Sequence, residues 1–275
     1  MMTISFDDSG LDTAIRDAIG KQSSEDISQE DLLPLTVLVA EGKGIECLNG
    51  LEYCVNLTRL FLHSNDISDL RPLKNLTKLT DLFLYANNIS DIGPLECLTK
   101  LKVLSIYRNL ISTIHPLRKL TDLTSLNLDY NRLQGTLYHL ENLTKLTNLY
   151  LGGNQKISDI SPLQNLTKLT DLNLGINNIR DILPLKPLGN LKTLRLSFNN
   201  ISDIGPLQFL SKLTDLNLIL NQIEDIQPLV DNVGLGVDNS GVNDIVYLGR
   251  NPLNRPSINK LIPALRARGV IVHYP

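Results

Sequence analysis

The stretch Leu76 to Leu95 reads LTKLTDLFLYANNISDIGPL, and close copies of it recur along most of the chain. Counterparts of its Asn87 follow at steps of 22 or 23 residues, at Asn65, Asn109, Asn131, Asn154, Asn177, Asn199 and Asn221. Around each asparagine, aliphatic residues recur at −5, −3, +2 and +5, and each 23-residue step inserts one residue just beyond the asparagine. This period is typical of stacked coils, because one coil cannot bury its own leucines but neighbouring coils bury each other's.

Each repeat divides into a strand and a turn. The alternating leucines before the asparagine predict a short strand whose leucines face inwards. The asparagine then turns the chain, and we expect its side-chain amide to bond backbone groups of the neighbouring coils. The S-D-I-x-P-L phrase that follows, as at Ser90 to Leu95, predicts a short 3-10 turn capped by its aspartate.

Counting a degenerate first repeat around Leu38 and a last one that ends at Asn251, the sequence predicts ten such strands. The predicted fold class is an α/β leucine-rich-repeat solenoid. Its curved parallel β-sheet of about ten strands lies on the concave face, and 3-10 or irregular turns lie on the convex face. Helical caps are expected at both ends, because the terminal coils would otherwise expose their leucines.

We predict one continuous structural domain in three parts: an N-terminal helical cap over 1–34, repeats over 35–255 and a C-terminal cap over 256–275. Leu11, Ile15 and Ile19 have helical spacing in the first cap, and Ser28 to Leu33 predicts a second short helix. In the last cap, Pro256 to Arg268 predicts a helix, and Val270 to Val272 predicts a final edge strand.

Composition excludes several classes of function. The net charge of −3, with scattered Lys and Arg, argues against a nucleic-acid partner. No apolar run is long enough to insert into a membrane. Cys47, Cys54 and Cys97 lack the spacing of a disulfide framework or a zinc site, so we expect buried free thiols. No cofactor and no metal are expected, and the chain is expected to be a monomer.

The repeat L-x-x-L-x-L-x-x-N-x-I-S-D-I-x-P-L resembles the internalin-type class of bacterial leucine-rich repeats, over about residues 35–255. The resemblance implies a non-catalytic adhesion or recognition module, secreted or on the cell surface, that uses its concave face. A second resemblance, to the phosphatase-1 regulatory subunit of eukaryotes, implies an intracellular protein. The segment Met1 to Asp8 lacks a secretory signal pattern, so a native start at Met1 would favour the cytoplasm. Both locations stay open.

The residues that flank each inward leucine point out of the sheet and are not needed for folding. Four of the chain's thirteen aromatic residues gather there on successive strands, and charged residues lie beside them. Such clusters are typical of protein-binding hot spots, whereas the alternative is that cross-strand aromatics only stabilise the sheet. The predicted partner-binding residues are Arg59, Phe61, His63, Asp81, Phe83, Tyr85, Tyr107, Asp129 and Tyr150. The predicted partner is another protein.

Two alternatives to this function remain. A glycan could bind the more polar surface around Tyr107, Asn127, Asp129 and Tyr150, or the chain could be the recognition arm of a larger signalling protein. A further apolar column, for which we favour half-buried packing at the sheet edge, comprises Tyr130, Ile176, Phe198 and Leu220.

The residue pattern does not indicate an enzyme. Asp171 and Asp215 lie two coils apart, too far for a tight carboxylate pair. The four histidines, His63, His115, His139 and His273, fall in different parts of the repeat. The aspartates before I-x-P-L are better interpreted as turn caps than as a calcium ladder; they are Asp69, Asp91, Asp159, Asp181, Asp203 and Asp225.

Overall fold

The computed structural model describes residues 3–135, 137–236 and 243–274. These residues form two compact units, Met1–Arg132 and Leu133–Pro275. The assignment of caps and repeats to one continuous domain stays a prediction.

The first unit begins with a cap built from two strands and two helices. Strand β1 (Thr3–Ile4) pairs antiparallel with β2 (Ile27–Ser28), and the helices are α1 (Ser9–Ile19) and α2 (Gln29–Leu32). Both helices were predicted. The β1–β2 pair was not, because two-residue strands have too few residues to show an alternating pattern.

Helix α1 begins where the sequence predicts. The Asp8 side chain accepts hydrogen bonds from the backbone N–H of Gly10 and Leu11, at 2.9 and 3.0 Å. The helix ends at Gly20, whose φ of 72° is the left-handed conformation that glycine adopts at low cost. Leu11 and Ile15 are fully buried, so the apolar face of α1 lies against the protein interior.

The repeats form parallel strands at the predicted positions. The first unit contains β3 (Val37–Val39), β4 (Arg59–Phe61), β5 (Asp81–Phe83), β6 (Val103–Ser105) and β7 (Ser125–Asn127). The second contains β8 (Asn148–Tyr150), β9 (Asp171–Asn173), β10 (Thr193–Arg195), β11 (Asp215–Asn217), β12 (Ile245–Tyr247) and β13 (Ile271–His273). Within the described ranges there are thus eleven parallel strands, which confirms ten repeat strands and a final edge strand.

The core consists of the leucines and isoleucines of the repeat. In the coil of Asn87, for example, Leu82, Leu84, Ile89 and Leu95 all have no exposed surface. The degenerate first repeat behaves in the same way, since Leu38, Ala40 and Ile45 are equally buried. The hydrophobic period therefore identified the residues of the core correctly.

The asparagines form the predicted ladder between coils. The Asn87 amide nitrogen donates to the carbonyls of Leu62 and Leu84, both at 3.0 Å. Its amide oxygen accepts the N–H of Ile67, also at 3.0 Å. Because Leu62 and Ile67 belong to the preceding coil, each asparagine holds two coils in register.

One extra residue interrupts this ladder in the second unit. Asn177 still donates to the carbonyls of Leu151 and Leu174, both at 3.0 Å. Within the described ranges, however, its buried amide oxygen has no hydrogen-bond partner. In the preceding coil Gln155 and Lys156 stand where a regular coil has one residue, and Gln155 has φ of 59°. The insertion therefore leaves the strand intact but removes one hydrogen bond from the turn that follows it.

The S-D-I-x-P-L phrases form short 3-10 segments. They are Leu51–Tyr53, Arg71–Leu73, Gly93–Cys97, His115–Lys119, Tyr138–Leu140, Ser161–Leu163, Leu183–Leu185 and Gly205–Phe209, and the corresponding α3 (Gln227–Asp231) is α-helical. Each recurring aspartate accepts the first N–H of its segment, as Asp91 does from Gly93 at 2.8 Å. Turn capping, and not a calcium ladder, explains these aspartates.

The C-terminal cap differs in detail from the prediction. The predicted helix over Pro256 to Arg268 consists of a wider helical segment, Ser257–Leu261, followed by α4 (Ile262–Ala267). Pro263 accounts for the break, because it has no N–H for the regular i to i−4 bond. The final strand begins one residue later than predicted, at Ile271.

The cysteines are free, but the expectation that all are buried was wrong. Cys54 is buried, and this burial, with Glu52 nearby, raises the pKa of its thiol to about 12. Cys47 is half-buried and Cys97 is exposed at the end of its 3-10 segment. At these two places the repeat does not require an aliphatic side chain.

Candidate partner-binding surface on the first unit

Strands β3 to β7 separate buried from accessible residues as the sequence predicts. On β4, Leu60 is fully buried, whereas Arg59 is exposed and Phe61 is half-buried. We call the side of these strands that faces away from the buried leucines the strand face. The predicted aromatic residues lie on it and not in the core.

The first aromatic column consists of Phe61 and Phe83. These residues are directly opposite each other in the pairing of β4 with β5. Their rings stack with centroids 4.7 Å apart and planes inclined by 3°. The ring spacing equals the usual separation of neighbouring strands, so the sheet itself sets the stack.

The second aromatic column lies just beyond the strand ends and contains His63, Tyr85 and Tyr107. Its ring centroids are 4.1 Å apart between His63 and Tyr85, and 4.5 Å apart between Tyr85 and Tyr107. Partial burial raises the pKa of the Tyr85 hydroxyl, and the neighbouring Tyr107 and Glu41 add to this effect. The Tyr85 phenol therefore stays protonated and able to donate a hydrogen bond at neutral pH.

Charged groups border both columns. The Glu41 carboxylate contacts Nε2 of His63. Arg59 is exposed beside Phe61, and the Asp81 carboxylate accepts a hydrogen bond of 2.6 Å from the Thr80 hydroxyl. Glu41 is not among the site residues predicted from the sequence. Its signal was its position one repeat before that histidine.

Seven of the nine predicted residues thus lie together, four on strands β4 and β5 and three just beyond the ends of β4, β5 and β6. Asp129 follows β7, the next strand, and its backbone N–H donates to the Asn127 side chain at 3.0 Å. Tyr150 lies on β8 of the second unit, where the Asn148 side chain contacts its hydroxyl at 3.5 Å. The predicted residues that lie close together are therefore those of the two aromatic columns in the first unit and the charged residues beside them.

The apolar column before the asparagines is more exposed than expected. Tyr130, Ile176 and Phe198 retain 50%, 38% and 52% of their surface, and only Leu220 is half-buried. All four have positive φ, between 52° and 57°. The left-handed backbone turns these side chains away from the coil. Simple strand alternation does not describe the position before the asparagine, because the chain is no longer extended there.

The groups considered for catalysis are dispersed. Asp171 and Asp215 lie on β9 and β11, with β10 between them, and Arg195 of β10 approaches Asp215 at 3.4 Å. Among the described residues, no group of three or more His, Cys, Asp or Glu side chains is arranged to hold a metal ion. The same residues include no helix with the length and apolarity needed to cross a bilayer.

Stacked coils with a leucine core, an asparagine ladder and one short parallel strand per coil define a leucine-rich-repeat protein. The sequence matches the family described as Leucine Rich repeats (2 copies) over residues 55–97, 79–119, 121–165, 144–187 and 189–231. A comparison with curated proteins gave no significant match.

Solved structures show where this chain lies within that family. An internalin (InlF) of Listeria monocytogenes is 30% identical with a TM-score of 0.72, covering 98% of this chain and 91% of that one. Internalin C2 of the same organism is 34% identical with a TM-score of 0.63, covering 86% of this chain and 96% of that one. The chain belongs to the leucine-rich-repeat family, in its internalin-type bacterial class.

A more distant similarity is to a plant receptor. The ectodomain of the membrane receptor kinase GASSHO1/SCHENGEN3 of Arabidopsis thaliana is 25% identical, with a TM-score of 0.69. The match covers 83% of this chain but only 29% of the receptor chain, which was solved in complex with Casparian strip integrity factor 2. Proteins of this fold act in recognition, and their internalin-like members are typically not enzymes.

Proposed function

We propose that this protein binds another protein through the strand face of its first unit, with the two aromatic columns as anchors, and that it has no catalytic activity. The observation that supports this most directly is the stacking of Phe61 on Phe83 and of Tyr85 on His63 and Tyr107. Five rings lie ordered on one surface, although none of them belongs to the leucine core.

Ordered rings favour binding energetically. A free aromatic side chain loses rotamer freedom when a partner immobilises it, at a cost of about 0.5–1.5 kcal/mol per side chain. In the columns each ring is already held by its neighbours. Most of the rotamer freedom is therefore lost during folding, and little remains to be lost on binding. The edges of the rings and the tyrosine hydroxyls stay available, a combination that is common in binding hot spots.

The charges around the columns suit a protein partner better than a nucleic acid. Glu41 contacts His63, and the paired residues Arg59 and Asp81 stand two residues before Phe61 and Phe83 on their strands. Mixed charges around an apolar centre are typical of protein interfaces, whereas a nucleic-acid interface requires a basic face.

The test uses the immobilised full chain and a double variant, Phe83→Ala with Tyr85→Ala. We expect the wild-type chain to capture a protein from the native cell lysate or from the culture medium, identified by mass spectrometry. The double variant should bind that protein at least tenfold more weakly, since loss of a hot-spot side chain costs about 2 kcal/mol or more. Loss of ring stacking should lower the thermal unfolding midpoint by only about a few degrees.

A matched control removes two aromatic rings elsewhere. Tyr138 and Phe209 are exposed on 3-10 segments of the second unit, with 55% and 48% of their surface accessible. The double variant Tyr138→Ala with Phe209→Ala should capture the partner as the wild type does. Equal capture by the Phe83/Tyr85 variant would reject the proposed surface, and specific signals on a glycan array without protein capture would favour a carbohydrate partner.

A further inference from the structure

The outer side of the C-terminal cap leaves apolar side chains accessible. Its helices turn Ile262 and Leu265 inwards, where both are buried. Ile258, on the segment before α4, is instead 36% exposed. Helix α4 packs against β13, the last strand of the sheet, and Ile271 of that strand is 39% exposed. This end of the repeats therefore presents two accessible isoleucines beside an edge strand.

Three exposed cations lie on the same cap: Arg255, Lys260 and Arg266. Arg255 precedes Ile258 by three residues in one helical stretch, a spacing that puts two side chains on the same side. Arg266 donates to the carbonyl of Val272 on β13 at 2.8 Å, which places its charge at the edge of the sheet. Within the described ranges none of the three cations makes an ion pair.

The N-terminal cap has an apolar hollow on its surface. Ala18 and Ile19 of α1, with Pro34 and Leu35 after α2, line this open space of about 340 Å³. Leu33, next to Pro34 in the chain, is 46% exposed. The hollow is large enough to accept an aliphatic side chain from another molecule.

Carboxylates border this hollow without cations to balance them. Asp17 and Glu30 are exposed and directly precede two lining residues of the hollow in the chain. The only two cations of the cap, Arg16 and Lys21, already form ion pairs of 2.7 Å with other carboxylates of the cap. In the part of the chain that the structure describes, Asp17 and Glu30 make no ion pair.

The two caps contain all of the chain's net charge. The repeats over 35–255 have 21 basic and 21 acidic residues. The cap over 1–34 has eight acidic residues and two basic ones, whereas the cap over 256–275 has three basic residues and no acidic one. The formal charge of −3 for the whole chain thus combines −6 at the first cap with +3 at the last.

We propose that the C-terminal cap of one copy binds the N-terminal cap of a second copy, with Ile258 at the apolar hollow and the cations facing Asp17 and Glu30. Opposite charges around apolar centres are the complementarity that guides such contacts. Because the two surfaces differ, the contact is heterologous, and each copy can bind further copies at both of its caps. The strand face of the first unit takes no part in it.

Sedimentation velocity of the full chain tests this proposal. Exposed ion pairs contribute little each and are screened by salt, so we expect a weak association that depends on ionic strength. At low salt the mean sedimentation coefficient should rise with protein concentration. At high salt the same rise should need at least about fivefold more protein.

Two charge-reversed variants identify the surfaces. Arg255→Glu with Lys260→Glu changes the C-terminal cap, and Asp17→Lys with Glu30→Lys changes the N-terminal cap. Each variant alone should stay monomeric at concentrations where the wild type associates. Their equimolar mixture should associate, since each variant keeps one native cap. All four positions are exposed, so unchanged thermal midpoints should show that both variants fold.

A third variant and a control separate direct contact from an effect of net charge. Ile258→Ser changes no charge and should weaken the association at least about threefold. Lys168→Glu with Lys192→Glu changes the net charge as much as the C-terminal variant does, but at exposed positions of the repeats. This control should associate as the wild type does.

Several results would overturn the proposal. One is the monomer expected from the sequence, if it persists at every concentration and at low salt. Another is wild-type association of the Arg255/Lys260 variant, or an equal loss in the Lys168/Lys192 control. A mixture of the two cap variants that stays monomeric would also contradict a contact between unlike caps.

Discussion

At the scale of single residues, the position before each asparagine is the most demanding one in the repeat. The chain turns there with positive φ in nearly every coil, as at Ser64, Ala86 and Arg108 in the first unit. In the second unit the same position holds Ile176, Phe198 and Leu220. Branched and bulky side chains are disfavoured in this conformation, at a cost on the order of 1–3 kcal/mol each. The fold therefore carries strain at residues that contribute little to its core.

Ile176 allows this strain to be measured. Asparagine tolerates the left-handed conformation, so Ile176→Asn should relieve strain while losing only the contacts of a side chain that is 38% exposed. We expect the free energy of unfolding to stay equal to that of the wild type or to rise by up to about 1 kcal/mol. Urea denaturation measures it.

The control for this substitution is Ile271→Asn. Ile271 is 39% exposed, almost the same as Ile176, but it lies on strand β13 with ordinary extended backbone. That variant should lose about 1 kcal/mol, because asparagine is a poor strand former. Equal destabilisation of both variants would show that no strain is stored at Ile176.

At this scale the sequence predicted most positions correctly and failed for identifiable reasons. Strand alternation assigned Leu60 to the core and Phe61 to the surface, as observed. It failed for Tyr130 and Phe198, since a pattern of residue types carries no information on the sign of φ. The expectation that Cys97 is buried came from cysteine spacing, and it was wrong because the repeat does not specify the last residue of a 3-10 segment.

At the scale of elements, the N-terminal cap depends on a small polar network. The backbone N–H of Ser28 donates to the Asp31 carboxylate at 2.7 Å, and the same carboxylate accepts from Lys21 Nζ at 2.7 Å. The hydrogen bond from Lys21, and then those from Ser28, lower the pKa of Asp31 to about 2. This network begins α2 and ties it to the end of α1.

The lowered pKa predicts a pH dependence. A carboxyl whose pKa is lower in the folded state than in the unfolded state stabilises the fold above its unfolded pKa. This contribution is lost as the pH falls through the folded pKa. For Asp31 the loss extends from about pH 4 to about pH 2. Wild type should therefore be more stable than Asp31→Asn at neutral pH, and the difference should vanish near pH 2.

Chemical denaturation at several pH values measures this difference. Asp17→Asn is a suitable control because Asp17 is an exposed acidic residue of α1, outside the network. Its stability relative to wild type should not follow the curve of Asp31→Asn. A constant difference between wild type and Asp31→Asn down to pH 2 would contradict the assignment.

Elements were predicted best where many residues repeat one pattern. The strands and 3-10 segments recur in coil after coil, so their positions follow from the period alone. The caps occur once each and depend on local chemistry. The Ser28 start of α2 was visible in the sequence. Pro263 was visible too, but the wider helical segment before it depends on which backbone bonds replace the missing N–H.

At the scale of the whole molecule, the asparagine ladder determines how coils within each unit stay in register. Asn109 makes three buried hydrogen bonds: it accepts from Ile89 N–H at 2.9 Å and donates to the carbonyls of Leu84 and Ile106 at 3.0 and 3.1 Å. Asn177 makes the corresponding donations and a further one to the carbonyl of Gly175 at 3.2 Å, but its oxygen has no partner in the described part of the chain.

The two asparagines form a matched pair for mutation. Asn109→Ala leaves the N–H of Ile89 unsatisfied in the interior, and Asn177→Ala has no equivalent loss. We expect Asn109→Ala to lower the free energy of unfolding by roughly 1–3 kcal/mol more than Asn177→Ala. Equilibrium urea unfolding measures both. Equal losses would mean that the accepted hydrogen bond contributes nothing to stability.

The candidate site was predicted in part at this scale. Counting from the asparagines placed Phe61 next to Phe83 on the neighbouring strand, and placed His63, Tyr85 and Tyr107 in one row. This works because in-register strands bring equivalent positions of successive coils side by side. The ring planes and the contact between Glu41 and His63 did not follow from counting, since they depend on side-chain rotamers. Ser105 occupies the next position of the column that contains Phe61 and Phe83. Its small side chain ends the ring stack, which becomes evident only when the rings are known to stack.

The asparagine side chains also give the array a direction. Asn65 accepts hydrogen bonds from the N–H groups of Lys43 and Ile45, and Asn251 accepts one from Ile223, so each of these asparagines completes the turn of the coil before it. Asn177 is an exception. A coil is therefore finished only when its successor has been added. During synthesis from the N-terminus, the turn of the newest coil therefore lacks the hydrogen bond that the asparagine of the next coil supplies. A chain cut between coils would expose this opening at its C-terminal side and not at its N-terminal side.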